Sequence, residues 1–139
     1  MTTPLWVLLA FAVWTILVLL SGVAVHRWRL ILSKQANFAD FSGGAVEGTD
    51  FYARATRAHA NCLESLPIFG ALALIAAVAG IDTPRLDQLA IAILIARIAQ
   101  SVVHMALPVT NTTAPIRGAL FGVQLIAFLW MAVIIARAA

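Results

Sequence analysis

The sequence predicts an all-α integral membrane protein built as a bundle of four transmembrane helices, and three observations carry that prediction. The 139 residues are 63% hydrophobic and only 11% charged, with a mean hydropathy of +0.98, whereas a soluble domain is about 25% charged. Four apolar runs, at 5–25, 62–81, 86–107 and 116–136, each reach the roughly 20 residues that a helix needs to span the hydrocarbon core. The alternation over about ten residues that marks a membrane strand is absent. With their flanks, the helices are expected at 4–32, 54–81, 84–107 and 115–137 of a single domain covering 1–139, with one long connection at 33–53.

The first helix has Trp6 and Trp28 near its two ends, where amphipathic rings favour the membrane interface. No Lys or Arg precedes its apolar run, which is longer than a signal-peptide core, so a retained helix is expected. Arg27 and Arg29 come next at its exit, and at least one of them reads as a snorkelling anchor to lipid phosphates. The connection 33–53 holds Asn37, Asp40, Gly43, Gly44, Glu47 and Asp50. Loops of that length are often functional, and this one is expected to lie over the end of the bundle.

The second helix carries Arg57, Asn61 and Glu64 on one face, with Arg54 a turn earlier, because residues three and four apart are neighbours on a helix. A carboxylate inside an apolar span costs a few kcal/mol on insertion scales unless a cation or a solvated cavity receives it, so such a stripe points to a functional site. Its structural alternative is polar contact between helices. The single cysteine, Cys62, excludes an intrachain disulfide and reads as a packed thiol. The turn 80–87 holds Asp82, Thr83 and Pro84, with Pro84 near the first position of the third helix and Asp87 in its first turn.

The third helix repeats the pattern with Arg97, Gln100, Ser101 and His104. The second and third helices run antiparallel, and at about 1.5 Å per residue Glu64 and Arg97 reach comparable depths. A buried ion pair between them is therefore expected. The fourth helix opens at Ala114-Pro115-Ile116-Arg117-Gly118. Proline at the first helical position predicts free backbone N–H groups and a positive dipole end beside Arg117, a place to hold an anion. An anchoring role for Arg117 is the alternative.

Arg27, Arg29, Lys34, Arg54 and Arg57 flank the first connection, against Arg85 alone in the second. The positive-inside rule then puts the first and third connections in the cytoplasm and both termini outside. The basic residues are too scattered for a nucleic-acid footprint. Gathered at one membrane face are Arg29, Arg54, Arg57, Arg97 and Arg117, with Asn61, Glu64, Gln100, Ser101, His104 and Asp40. Such a set suits a small, strongly polar ligand carrying carboxylates and an amine, while the lipid would supply an apolar second substrate. The chain shows no metal-ligand spacing, no Ser-His-Asp constellation and no Gly-rich phosphate loop, so the reactive group is expected on the ligand.

Arg57-Ala58-His59-Ala60-Asn61-Cys62-Leu63-Glu64, with Pro67 just beyond, resembles the second-helix signature of the MAPEG family, the membrane-associated proteins of eicosanoid and glutathione metabolism. Arg97-Ile98-Ala99-Gln100, Ala114-Pro115-Ile116-Arg117, and Arg29 with Asn37 and Asp40 are similar to elements of its microsomal prostaglandin E synthase branch, and the glutathione transferase branch is also near in motif. The similarity covers essentially the whole chain, and the second-helix motif is its specific part. The resemblance implies a homotrimer of four-helix protomers with glutathione held between subunits on the cytoplasmic side. It implies that Arg29, Arg57, Asn61, Glu64 and Arg97 hold or frame the tripeptide, joined in the candidate set by Gln100 and His104. It assigns Arg117 to stabilising the glutathione thiolate for attack on a lipophilic electrophile or hydroperoxide. The chain departs from the prostaglandin branch at Ala60 in place of a second arginine, at His104 in place of a tyrosine, at Gly118 in place of a serine, and in a longer connection before Arg117. These departures favour a general glutathione transferase or peroxidase. A non-catalytic lipid-binding or scaffold protein of the same fold is the alternative.

Overall fold

Each apolar run becomes one long helix in the computed structural model, which describes residues 1–41 and 50–138. α1 is Thr3–Leu32, α2 Phe51–Val78, α3 Pro84–Ala106 and α4 Thr113–Ala138, and all four are long and apolar enough to cross a membrane. The chain is an all-α integral membrane protein. Gly43, Gly44 and Glu47 lie outside the described residues, as does the rest of 42–49 within the connection expected to cover the bundle end.

Local chemistry sets the ends of the helices. The Asp50 side chain caps α2 by accepting from the Ala53 N–H at 2.8 Å, one of the orphan donors of a helix start. Gly80, at φ 67°, ends α2: Ile81 N–H donates to Ala76 O at 2.9 Å and Gly80 N–H to Ala77 O at 3.2 Å. That bond pair is a Schellman stop, whose left-handed residue a glycine adopts without strain. Thr83 caps α3 through its Oγ1, which accepts from Leu86 N–H at 3.3 Å, with Pro84 in the first turn. Pro67, inside α2, takes the N–H from the Leu63 carbonyl one turn earlier.

α1 holds a π-turn over Leu19–Ala24. Such a turn adds one residue and rotates the rest of the helix relative to ideal geometry. Gly22 within it faces Ala55 so closely that a Cβ on Gly22 would lie 2.5 Å from the Ala55 Cβ. α1 can therefore approach α2 to backbone distance. Beyond the π-turn, Arg27 Nε donates to the Tyr52 hydroxyl at 2.8 Å, and its guanidinium lies 5.4 Å from the Phe41 ring centre. Arg27 thus clamps the exit of α1 to the start of α2 instead of snorkelling to lipid; Arg29, two residues on, is exposed on the protomer.

α3 packs most extensively on α4, and α1 lies against α2 and α3. Between them sits an apolar core in which Phe11 stacks on Phe69 with ring centres 6.1 Å apart, closed by buried Ile93, Met131 and Leu86. The end of the bundle carrying the long connection also carries the ends of α1 and α3 and the starts of α2 and α4, and with them most of the arginines.

Candidate functional site

α2 buries a stripe of mostly small side chains, Ala55, Ala58, Cys62, Ser65, Phe69 and Ala73, whose spacing of three and four residues defines one helix face. Arg57, Asn61 and Glu64 lie about 120° around the helix from the centre of that stripe at 100° per residue. Arg57 and Asn61 are half-buried at its edge, and Glu64 is exposed on the protomer. The polar residues of α3 behave differently. Arg97, Gln100 and Ser101 are all buried, because they share a face with Ala90 and Ile93 that points into the bundle.

This difference in azimuth removes the expected Glu64–Arg97 ion pair within the protomer. Arg97, only 1% exposed, donates through Nη2 to the Ser65 hydroxyl and lies 5.8 Å from the Phe11 ring centre. Its Nε and Nη1 have no hydrogen-bond partner among the described residues. Ser65 meets Arg97 because it stands one residue, about 100°, further round α2 than Glu64 and faces inward. Ser101 completes the cluster by donating to Arg97 O at 2.9 Å, accepting from Trp14 Nε1 at 3.2 Å and touching Cys62 Sγ at 3.5 Å. Cys62 is fully buried there.

Nearer the arginine-rich end, the structure does join α2 to α3: Asn61 Nδ2 lies 3.3 Å from His104 Nε2, and the amide donates when that ring nitrogen is unprotonated. Arg57 stands within electrostatic reach of both His104 and Arg117. The C-terminal carbonyls of α3 are held by two arginines from different helices. Arg117 Nη2 donates to Leu107 O at 2.8 Å and reaches Val103 O at 3.5 Å, and Arg54 Nε donates to Met105 O at 3.2 Å. Leu107 O and Met105 O are orphan acceptors at the negative end of the helix dipole, where guanidinium groups are favoured, whereas Val103 O also accepts from Leu107 N–H at 3.2 Å. Arg117 is 8% exposed, and its Nε has no partner among the described residues.

The start of α4 differs from the expectation of an open N-terminus. The helix begins two residues before Pro115, at Thr113. Thr110 takes its donors: Oγ1 accepts from Thr112 N–H at 3.3 Å and Thr113 N–H at 3.1 Å, and the Thr110 carbonyl accepts from Ala114 N–H at 3.0 Å. A threonine cap thus uses the N–H groups that an anion would need. Asp40 is likewise engaged locally, where its Oδ2 accepts from Asn37 N–H at 2.7 Å.

Sequence reasoning did not single out Ser65, Thr110 or Gln124 as structural partners. The small-residue stripe of α2 was the available signal for Ser65, since it puts Ser65 inward and Glu64 outward. The spacing of Thr110 and Thr113 was the signal for the cap.

A family model described as the MAPEG family matches residues 4–137. No curated protein and no solved structure matches the chain.

Proposed function

The chain belongs to the MAPEG family, membrane-associated proteins of eicosanoid and glutathione metabolism, and on that premise we propose that it is a glutathione-dependent membrane enzyme that activates the glutathione thiolate. Arg117 is the catalytic residue in this reading, and its guanidinium is the cation that favours the thiolate. Arg29, Arg57, Asn61, Glu64, Arg97 and His104 bind or frame the tripeptide, and Gln100 serves the same frame through the Arg117 carbonyl, to which it donates at 3.1 Å. A free thiol titrates near 8.5, and a buried cation favours its anion at neutral pH. The thiol proton leaves to solvent, and the sulfur attacks an electrophile or hydroperoxide that arrives from the bilayer.

One observation carries this reading: Asn61, His104 and Arg117, from three helices, meet at the same end of the bundle, Asn61 against His104 and Arg117 against the carbonyl of the neighbouring Val103. The exposed Glu64 supports a binding site completed by a neighbouring subunit, since a carboxylate facing lipid is costly. We therefore read the assembly as a homotrimer with glutathione between protomers. The concentration of arginines at that end supports a cytoplasmic site with both termini outside.

The ultraviolet difference spectrum on adding glutathione to the detergent-purified protein tests the proposal directly. A saturable thiolate band is the expected result. Bound glutathione without a thiolate band would support the second reading, a non-catalytic lipid-binding or scaffold protein. That reading is favoured by one specific observation: the Nη2 of Arg117 and the first N–H groups of α4 already have protein partners.

A further inference from the structure

Gln124 is a buried polar residue to which the proposed chemistry gives no task. It is 0% exposed in the middle of α4, where an amide is costly unless it is hydrogen-bonded. Its Nε2 donates to Gln100 Oε1 at 3.0 Å and to Leu120 O at 2.9 Å. Gln100, itself 4% exposed, donates its Nε2 to Arg117 O at 3.1 Å. The guanidinium of Arg117 then closes on Leu107 O at 2.8 Å. The backbone of Arg117 is thus tied to α3 and its side chain to the C-cap of α3.

The spacing makes this circuit possible. Gln124 stands seven residues after Arg117, two turns along the same face of α4, and Gln100 bridges that interval from α3. The two amides do not satisfy each other: Gln124 Oε1 has no hydrogen-bond partner among the described residues. Here the outer member uses its donor on the backbone of the residue proposed to stabilise the thiolate. Arg117 Nε remains buried without a partner among the described residues at the end of the circuit.

We infer that Gln124, acting through Gln100, is a positioning residue for Arg117: the two amides fix the first turns of α4 against α3 and so set where the guanidinium stands. The inference rests on the reading of Arg117 as the thiolate-stabilising group. Small displacements of a preorganised donor cost large factors in rate, so loss of the tie should be read in the chemistry before it is read in ligand affinity.

The test uses the full chain in detergent, with Gln124→Met, Gln100→Met and the double substitution, each keeping side-chain length while removing the amide. Thiolate absorbance is titrated against pH at saturating glutathione, and kcat and KM are measured with a chlorodinitrobenzene electrophile. In Gln124→Met the thiolate midpoint should rise by about one pH unit, a roughly ten-fold smaller thiolate fraction well below the midpoint. Turnover should fall with it, while KM for glutathione stays within about two-fold. The double substitution should be no worse than Gln100→Met alone, since the two act in series. An unchanged midpoint and kcat in Gln124→Met, or fully additive effects in the double, would overturn the inference. Where Gln124→Met fails to fold, Gln124→Leu is read in its place, and Gln100→Met is read for the thiolate midpoint and kcat alone. A wild-type protein without any thiolate signal would sink the reading of the site instead. The positioning role is then judged by the Arg117 Nε–Hε resonance in nitrogen-15-arginine-labelled protein: a shift in Gln124→Met supports it, and an unmoved resonance refutes it.

Discussion

Replacing Arg117 by alanine removes two things at once, and the structure allows each to be sized. The guanidinium donates to Leu107 O at 2.8 Å from a site only 8% exposed, and a buried hydrogen bond with a charged donor is worth about 1.5–3 kcal/mol. Its charge at the C-terminal end of α3 adds about 0.3–1 kcal/mol, while the 3.5 Å contact with Val103 O is too long to add much. The expected destabilisation is about 2–4 kcal/mol, or roughly 7–14 °C in Tm for a chain of this size. An arginine serving only as a surface anchor would cost under about 0.5 kcal/mol. Turnover should fall by about two orders of magnitude or more, as when one preorganised donor is taken from a developing anion, with glutathione affinity largely kept. Arg117→Lys keeps the charge without the planar fork and should recover much of the stability and less of the rate. Thermal melting in detergent, the thiolate difference spectrum and steady-state kinetics measure the three quantities. An unchanged Tm would refute the helix-capping argument, and unchanged turnover would remove the catalytic assignment.

Gly22→Ala places a methyl group 2.5 Å from the Ala55 Cβ and should lower stability by about 1–3 kcal/mol through overpacking; Ala55→Gly should restore much of it, and a neutral Gly22→Ala would show that α1 can move away freely. In ligand-free protein, Ser65→Ala should cost more than Glu64→Gln, by about 1–3 kcal/mol, because Ser65 is the acceptor for the buried Arg97 guanidinium. Thermal unfolding decides it, and the reverse order would restore the Glu64–Arg97 pair. Thr110→Val removes the acceptor shared by Thr112 and Thr113 N–H and should lower stability by about 1 kcal/mol; glutathione affinity raised by the substitution would mean that the freed N–H groups bind the ligand after all.

The number of helices, their order and the membrane as their solvent were legible without coordinates, because a span is a local property. About 20 apolar residues in a row have no other stable arrangement in lipid, and the family match over residues 4–137 accords with motifs read directly from α2 to α4. The start of α3 at Pro84 was legible for the same reason, since a proline acts on its own backbone; the stop at Gly80 was not, and the second helix, expected to run to 81, ends at Val78. Azimuth and register between helices were not legible. Two polar stripes in antiparallel helices look complementary on paper, yet α3 turns Arg97 inward while α2 turns Glu64 outward, and the choice depends on which side chains fill the space between. The π-turn at Leu19–Ala24 is a further rotation that no periodicity announces.

The sequence alone therefore determined that Arg54, Arg57, Asn61, His104 and Arg117 lie toward one end of the bundle, since depth is set by counting residues along a helix. Only the tertiary structure decided who bonds to whom: Arg97 to Ser65, Arg117 and Arg54 to the end of α3, Thr110 to the start of α4, and Gln124 to Gln100. Such partners are fixed by rotation about helix axes and by close packing of small side chains, which are non-local and settle only when all four helices are in contact.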